Sequence, residues 1–281
     1  MTELLPYFFL GLLGLAVGSF LNVVILRFGF SESRQERSHC MACGKQIRAY
    51  DLIPVLSYLL LRGKCRACGS RLSSQYPYVE LSLAALFVLS WYTVPPALSL
   101  WSIGAFVSLL AFLSALVALT VYDIRHTLVP MPFIYALLIA AVLAPVFQSF
   151  SVASPAPFYD ALLGGAALAG FLLLLHFGTK GKGMGMGDVY IAGAVGLLLG
   201  LFRGIEALML AVWIGSIFYL GVMLLSSVLR VFRLSPRFAR VTMKTELPFV
   251  PFLAVGVLVA IFTGISPLAF GAWLSQIIWQ R

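Results

Sequence analysis

The chain has 281 residues, of which 61% are hydrophobic and only 10% charged, with a formal charge of +9. A soluble globular domain carries about 25% charged residues, so lipid is the solvent for most of this chain. Apolar runs recur to the C-terminus, which excludes a signal peptide followed by a soluble domain and makes the first apolar segment a retained span.

A bilayer-crossing helix needs about 20 mainly apolar residues. Eight candidates run over 4–26, 76–94, 98–120, 131–150, 159–178, 189–203, 206–229 and 247–264, followed by an apolar tail over 267–279 that Pro267 sets apart. The expected fold class is an all-α integral membrane protein of about eight transmembrane helices with a small cytoplasmic four-cysteine metal-binding loop. The domain reading is a first span over 1–26, a zinc-ribbon-like loop over 27–77 and a multi-span membrane domain over 78–281.

Grouping Lys and Arg by alternate loops puts 17 of the 19 on one side. By the positive-inside rule those loops are cytoplasmic and the N-terminus is outside. Basic residues beside anionic headgroups account for the net charge with membrane lipid as partner, so no nucleic-acid partner is expected.

The four cysteines fall in the loop after the first span, as Cys40-Met41-Ala42-Cys43 and Cys65-Arg66-Ala67-Cys68, each followed by a glycine, Gly44 and Gly69. A two-residue gap lets both thiolates of a knuckle reach one tetrahedral ion, and the glycine lets the backbone turn back with positive φ. A loop this small cannot bury enough apolar surface to order itself, and a structural metal is the usual remedy. Zinc is expected, with iron on the same four sulfurs as the alternative. Four thiolates leave no open position, so the site is structural.

Asp123 lies in TVYDIRHTLVP, where the third span reaches the cytoplasmic face, and Asp188 closes GTKGKGMGMGD, where the sixth begins. Ionisable groups at membrane depth are costly, and the whole chain holds only ten acids. Two of them at one depth on one face point to a catalytic pair: one carboxylate activates water while the other protonates the amide oxygen. Asp188 at a helix N-terminus is expected to be the initial base, and Asp123 near a helix C-terminus the initial acid. Gly183, Gly185 and Gly187, lacking side chains, are expected to form a substrate-access loop beside Asp188. No GK[ST] phosphate cradle is present.

GSFLNVVILR at 18–27, the paired cysteine loop with IPVLSYLLLRGKC at 53–65, YPYVEL at 76–81, DIRHTLVP at 123–130, GMGMGDV at 183–189 and LPFVPFLAVG at 247–256 together resemble the bacterial type IV prepilin leader peptidases, membrane aspartic peptidases of the GxGD type. The resemblance covers nearly the whole chain. It implies cleavage of type IV prepilin or type II secretion pseudopilin leaders between Gly and Phe at the cytoplasmic face of the bacterial inner membrane. It also implies methylation of the new N-terminus with S-adenosylmethionine. The family's catalytic aspartates fall on Asp123 and Asp188. Arg125, where relatives often carry an acid, and Tyr190, where a Lys is common, depart from the pattern.

Asn22 reads as interhelical glue, and Glu80 is a weak candidate for methyl-donor binding. The segment around Pro248 and Pro251 could form a wall of the site or a simple kink. The rival function is an ion- or proton-coupled transporter using the same aspartates.

Overall fold

The structure, a computed structural model, describes residues 4–28, 38–40, 42–181, 185–231, 248–267 and 269. It is all-helical apart from two isolated β-bridges among the described residues. The helices are α1 (Leu5–Arg27), α2 (Leu56–Leu60), α3 (Gln75–Thr93), α4 (Leu100–His126), α5 (Met131–Ser151), α6 (Ala156–Gly178), α7 (Met186–Leu199), α8 (Leu201–Val231) and α9 (Val250–Phe262). The chain divides into two compact units, Met1–Ala118 and Leu119–Arg281.

In the first unit α1 and α3 run antiparallel at glycine-limited distance. A Cβ on Gly14 would lie 2.6 Å from the Cα of Ala84, and one on Gly18 would lie 2.6 Å from the Cα of Glu80. One turn further along, the Asn22 amide donates to the Tyr76 carbonyl at 3.1 Å and accepts from Gln75 Nε2 at 3.1 Å. Lipid gives helices no hydrophobic reason to associate, so small residues and interhelical hydrogen bonds do it. Asn22 is fully buried, as its reading as glue requires. Leu83 and Phe87 of α3 then pack with Phe106 and Leu110 of α4.

In the second unit α7 is enclosed by protein. Val189, Ile191, Ala192, Gly193, Ala194, Val195 and Gly196 are all buried. Its closest neighbour is α6, where a Cβ on Gly164 would come within 2.5 Å of the Gly196 carbonyl oxygen. Gly200, with φ +78°, ends α7, and the carboxylate of Asp160 accepts the N–H of Leu201 at 3.3 Å at the start of α8. On α9, Gly256 faces the Ala207 carbonyl of α8.

The expected count of eight spans is not reproduced by length and apolarity. Among the described residues five helices meet that measure: α1, α4, α5, α6 and the Leu201–Ser227 part of α8. α3 has 19 residues but is diluted by Gln75, Glu80 and its serines. α7 and α9 have only 14 and 13, and α7 is short because protein, not lipid, surrounds it. α4 runs six residues past its expected end of 120 to His126, so Asp123 belongs to its last turn. The expected tail over 267–279 lies outside the described residues except for 267 and 269.

Replacing Gly14 by Ile should destabilise the first unit by about 1–3 kcal/mol, toward the upper end because backbone stands in the way. Gly170→Ala, with nothing within 4 Å of the added Cβ, should leave stability nearly unchanged. Thermal unfolding in detergent compares the two, and equal midpoints would contradict the glycine contact.

Candidate active site and metal centre

Asp123 is 4% exposed, and its Oδ2 accepts the backbone N–H of Val250 at 3.2 Å. Val250 is the first residue of α9, where a helical N–H has no acceptor within its own helix. A side chain 127 positions away in sequence therefore caps the start of α9 and draws it to the end of α4.

Asp188 is the third residue of α7 and Gly185 is its N-cap. The Asp188 N–H donates to the Gly185 carbonyl at 3.2 Å, and the Asp188 carboxylate accepts a hydrogen bond from the Gly185 backbone, a reciprocal arrangement like a capping box. Asp188 is half-buried and close enough for the charge of Asp123 to act on it. Gly187 seats α7 against the loop after α4: a Cβ there would lie 3.1 Å from the Cβ of Val129. Of the three access-loop glycines, Gly185 is exposed, Gly187 is packed on Val129, and Gly183 lies outside the described residues.

The dipole asymmetry expected for the pair is not what the structure holds. Asp123 ends α4 but faces the start of α9, and Asp188 sits in the first turn of α7, so each carboxylate lies at a helix N-terminus. The roles of initial acid and base do not follow from dipoles. Arg125 and Tyr190 are both exposed.

Beside this site a cleft of about 290 Å³ opens between α8 and the start of α9, lined by Ala211, Gly215, Ser216, Tyr219, Pro248 and Phe252 among others. Pro248 stands two residues before the N–H that holds Asp123, so cleft and carboxylate share a wall.

In the first unit the four cysteine sulfurs lie within 4.8 Å of one another, and Cys40 Sγ is 3.9 Å from Cys68 Sγ. A tetrahedron of sulfurs about 2.3 Å from an ion has edges of about 3.8 Å, so the donor set fits a metal ion. The two knuckles repeat each other. The Gly44 N–H donates to the Cys40 carbonyl at 2.8 Å, and the Gly69 N–H to the Cys65 carbonyl at 2.9 Å. Both glycines have positive φ, 68° and 71°. Each knuckle is closed by a bridge, His39 with Gln46 and Lys64 with Arg71. The hydroxyl of Ser70, hydrogen-bonded to Cys40, is the largest cause that lowers that thiol to about 6.

Glu80 is 4% exposed. It accepts the Val55 N–H at 2.7 Å and is hydrogen-bonded to Ser19. Sequence reasoning missed Val250, Val129, Val55 and Asp160. The first three act through backbone or packing and carry no chemical signature; Asp160 had one, as an acid in an apolar run.

Two family descriptions match the chain: the bacterial peptidase A24 N-terminal domain over residues 12–94 and the type IV leader peptidase family over 110–221. The first range holds the four cysteines and the second both aspartates. Among curated proteins, the prepilin leader peptidase/N-methyltransferase of Dichelobacter nodosus is 31% identical, the match covering 97% of this chain and 94% of that protein. The protein of the same name from Pseudomonas putida is 34% identical over 92% of each. That of Myxococcus xanthus is 36% identical over 68% of this chain and 55% of its own length. No solved structure matches.

The metal centre makes its own prediction. Metal analysis of the purified chain should find about one ion per molecule, and Cys65→Ser should lower it sharply. Thiolates bind the ion and protons compete for them, so the ion should be released as pH falls through the acid range and retained above neutrality. Release on alkalinisation instead would contradict a thiolate site.

Proposed function

This chain belongs to the type IV leader peptidase family, and we propose that it is a bifunctional prepilin leader peptidase and N-methyltransferase whose peptidase pair is Asp123 and Asp188. The observation that carries the pair is the meeting of three motifs in one unit. The end of α4 brings Asp123, the start of α7 brings Asp188, and the start of α9 holds Asp123 through Val250.

Hydrolysis follows from two carboxyl groups that share a proton. The ionised member takes a proton from water as the oxygen attacks the scissile carbonyl, while the protonated member donates to the carbonyl oxygen. Collapse of the tetrahedral species returns a proton to the departing amine, and the pair ends as it began. The exposed Gly185 leaves room for an extended backbone beside Asp188.

The substrates are type IV prepilins or type II pseudopilins, cut after Gly and before Phe, and the apolar helix that follows the cut anchors in the cleft between α8 and α9. The freed amine then takes a methyl group from S-adenosylmethionine. Glu80 is the candidate on that side, as the buried carboxylate of the unit that lacks the pair. The ion of the cysteine centre is structural zinc. The chain sits in the bacterial inner membrane with its N-terminus outside and its basic loops cytoplasmic, and α3, α7 and α9 complete eight crossings with the five long helices. The transporter reading finds no support among the relatives.

Asp123→Asn and Asp188→Asn should each slow cleavage of a prepilin in detergent by about 10²-fold or more. An amide oxygen at 123 can still accept from Val250, so Asp123→Asn should keep its thermal midpoint. Near wild-type cleavage in either variant would remove that residue from the pair. With S-adenosylmethionine present, the product should gain the mass of one methyl group, and its absence would sink the second activity. A soluble peptide without the apolar helix should be cut far more slowly; equal efficiency would contradict anchoring in the cleft.

A further inference from the structure

The loop between α1 and α3 has an apolar surface that the metal centre does not use. Tyr50, Leu52, Ile53, Leu56, Leu59 and Leu60 are all exposed, Leu59 at 64% and Leu60 at 73%. In a small loop surrounded by water, such a contiguous patch would be an association hazard. Its sequence neighbourhood carries Arg48, Arg62, Lys64, Arg66 and Arg71, against one acid in residues 46–74, Asp51, and Arg48 and Arg66 lie over the Tyr50 ring. That acid is engaged by Arg66, which reaches it at 2.7 Å. An apolar face rimmed by cations has the composition of a segment lying on anionic lipid.

The hydrogen bonds give this segment a depth. The Val55 N–H donates to the buried Glu80 carboxylate. Glu80 lies five residues inside the start of α3 at Gln75, and the residue facing it on α1, Gly18, lies nine before the end at Arg27. At 1.5 Å per residue, the Glu80 backbone lies about 7.5 to 13.5 Å inside the ends of the two helices, and its side chain, leaning toward the start of α3, meets Val55 nearer those ends. Interfacial helices lay their apolar faces about 5–10 Å into the boundary between headgroups and acyl chains.

The backbone is bent to reach that point. Val55 has φ 60° and ψ −50°, and the Leu56 N–H donates to the Pro54 carbonyl at 2.5 Å. This is a γ-turn of the rare positive-φ kind, costly for a β-branched residue. It persists because Glu80 holds the N–H at its centre, and it leads directly into α2.

We propose that residues 50–60 form a membrane-interface element, with α2 seated between the headgroups and the upper acyl chains of the leaflet that the basic loops face, and anionic lipid as its partner. The cysteine centre is thereby laid on the membrane surface and held there by Glu80.

The test uses the full chain in lipid nanodiscs containing anionic lipid, with a fluorescent non-natural side chain placed at position 60 or, as the water-exposed control, at position 45. Retention of the bound metal shows that the loop is folded; if a probe at 60 displaces it, position 56 takes its place. Bromine on the upper acyl carbons should quench the probe at 60 several-fold more than the probe at 45, and aqueous iodide should do the reverse. Iodide quenching at 60 equal to that at 45 would overturn the proposal by placing α2 in water. Protection from both quenchers would overturn it too, by showing a protein surface on the patch, whether a second copy or another chain.

Discussion

Glycine-limited contact between helices is the constraint on which the rest of this chain depends. Inside a bilayer, apolar side chains gain nothing by leaving lipid for protein, and helices associate where backbones can come close enough for dense packing. Gly14 and Gly18 do this for α1 and α3, and Gly164 and Gly196 do it for α6 and α7. The second contact has the larger consequence. It lets a helix of only 14 residues be buried on most of its faces, and that helix delivers Asp188.

The two buried acids of the described chain are held by one device, a distant backbone N–H. Val250 supplies it for Asp123 from the start of α9, and Val55 supplies it for Glu80 from a strained turn. Such a donor cannot rotate away or be titrated, so it fixes a carboxylate without adding a competing charge. The LPFVPF motif therefore has a physical role, because it leads into a helix start whose first free N–H goes to Asp123. Pro251 at the second helical position suits this, because proline lacks the N–H that would otherwise go unpaired there.

Much of the site was legible because its signals are local. The paired cysteine spacing, each with its glycine, implies two turns of one shape, and the structure repeats the knuckle hydrogen bonds from Cys40 to Cys65 almost unchanged. Asp123 and Asp188 were legible as rare charges at equivalent depth. What stayed hidden is non-local. Nothing near Val250 or Val55 in sequence says that its N–H will be claimed from 127 or 25 residues away. Among the described residues, length and apolarity alone recover five of the eight expected spans. An apolar run reads the same whether lipid or protein will surround it, and α7, with most of its faces covered by neighbours, is shorter than a lipid-facing span.

The two buried carboxylates are held alike but have different neighbours. Among the described residues Glu80 accepts from Val55 and Ser19, both neutral donors, with no second acid beside it. Among them Asp123 receives one N–H and has Asp188 within electrostatic reach. A carboxylate held by fixed neutral donors is positioned without a competing charge. Two carboxyls that hold one proton between them are an acid and a base at once. In each unit the same kind of hydrogen bond therefore has a different setting: it ties the cysteine loop to α3 in the first, and in the second it holds a carboxylate beside another, the arrangement that the proposed acid–base pair requires.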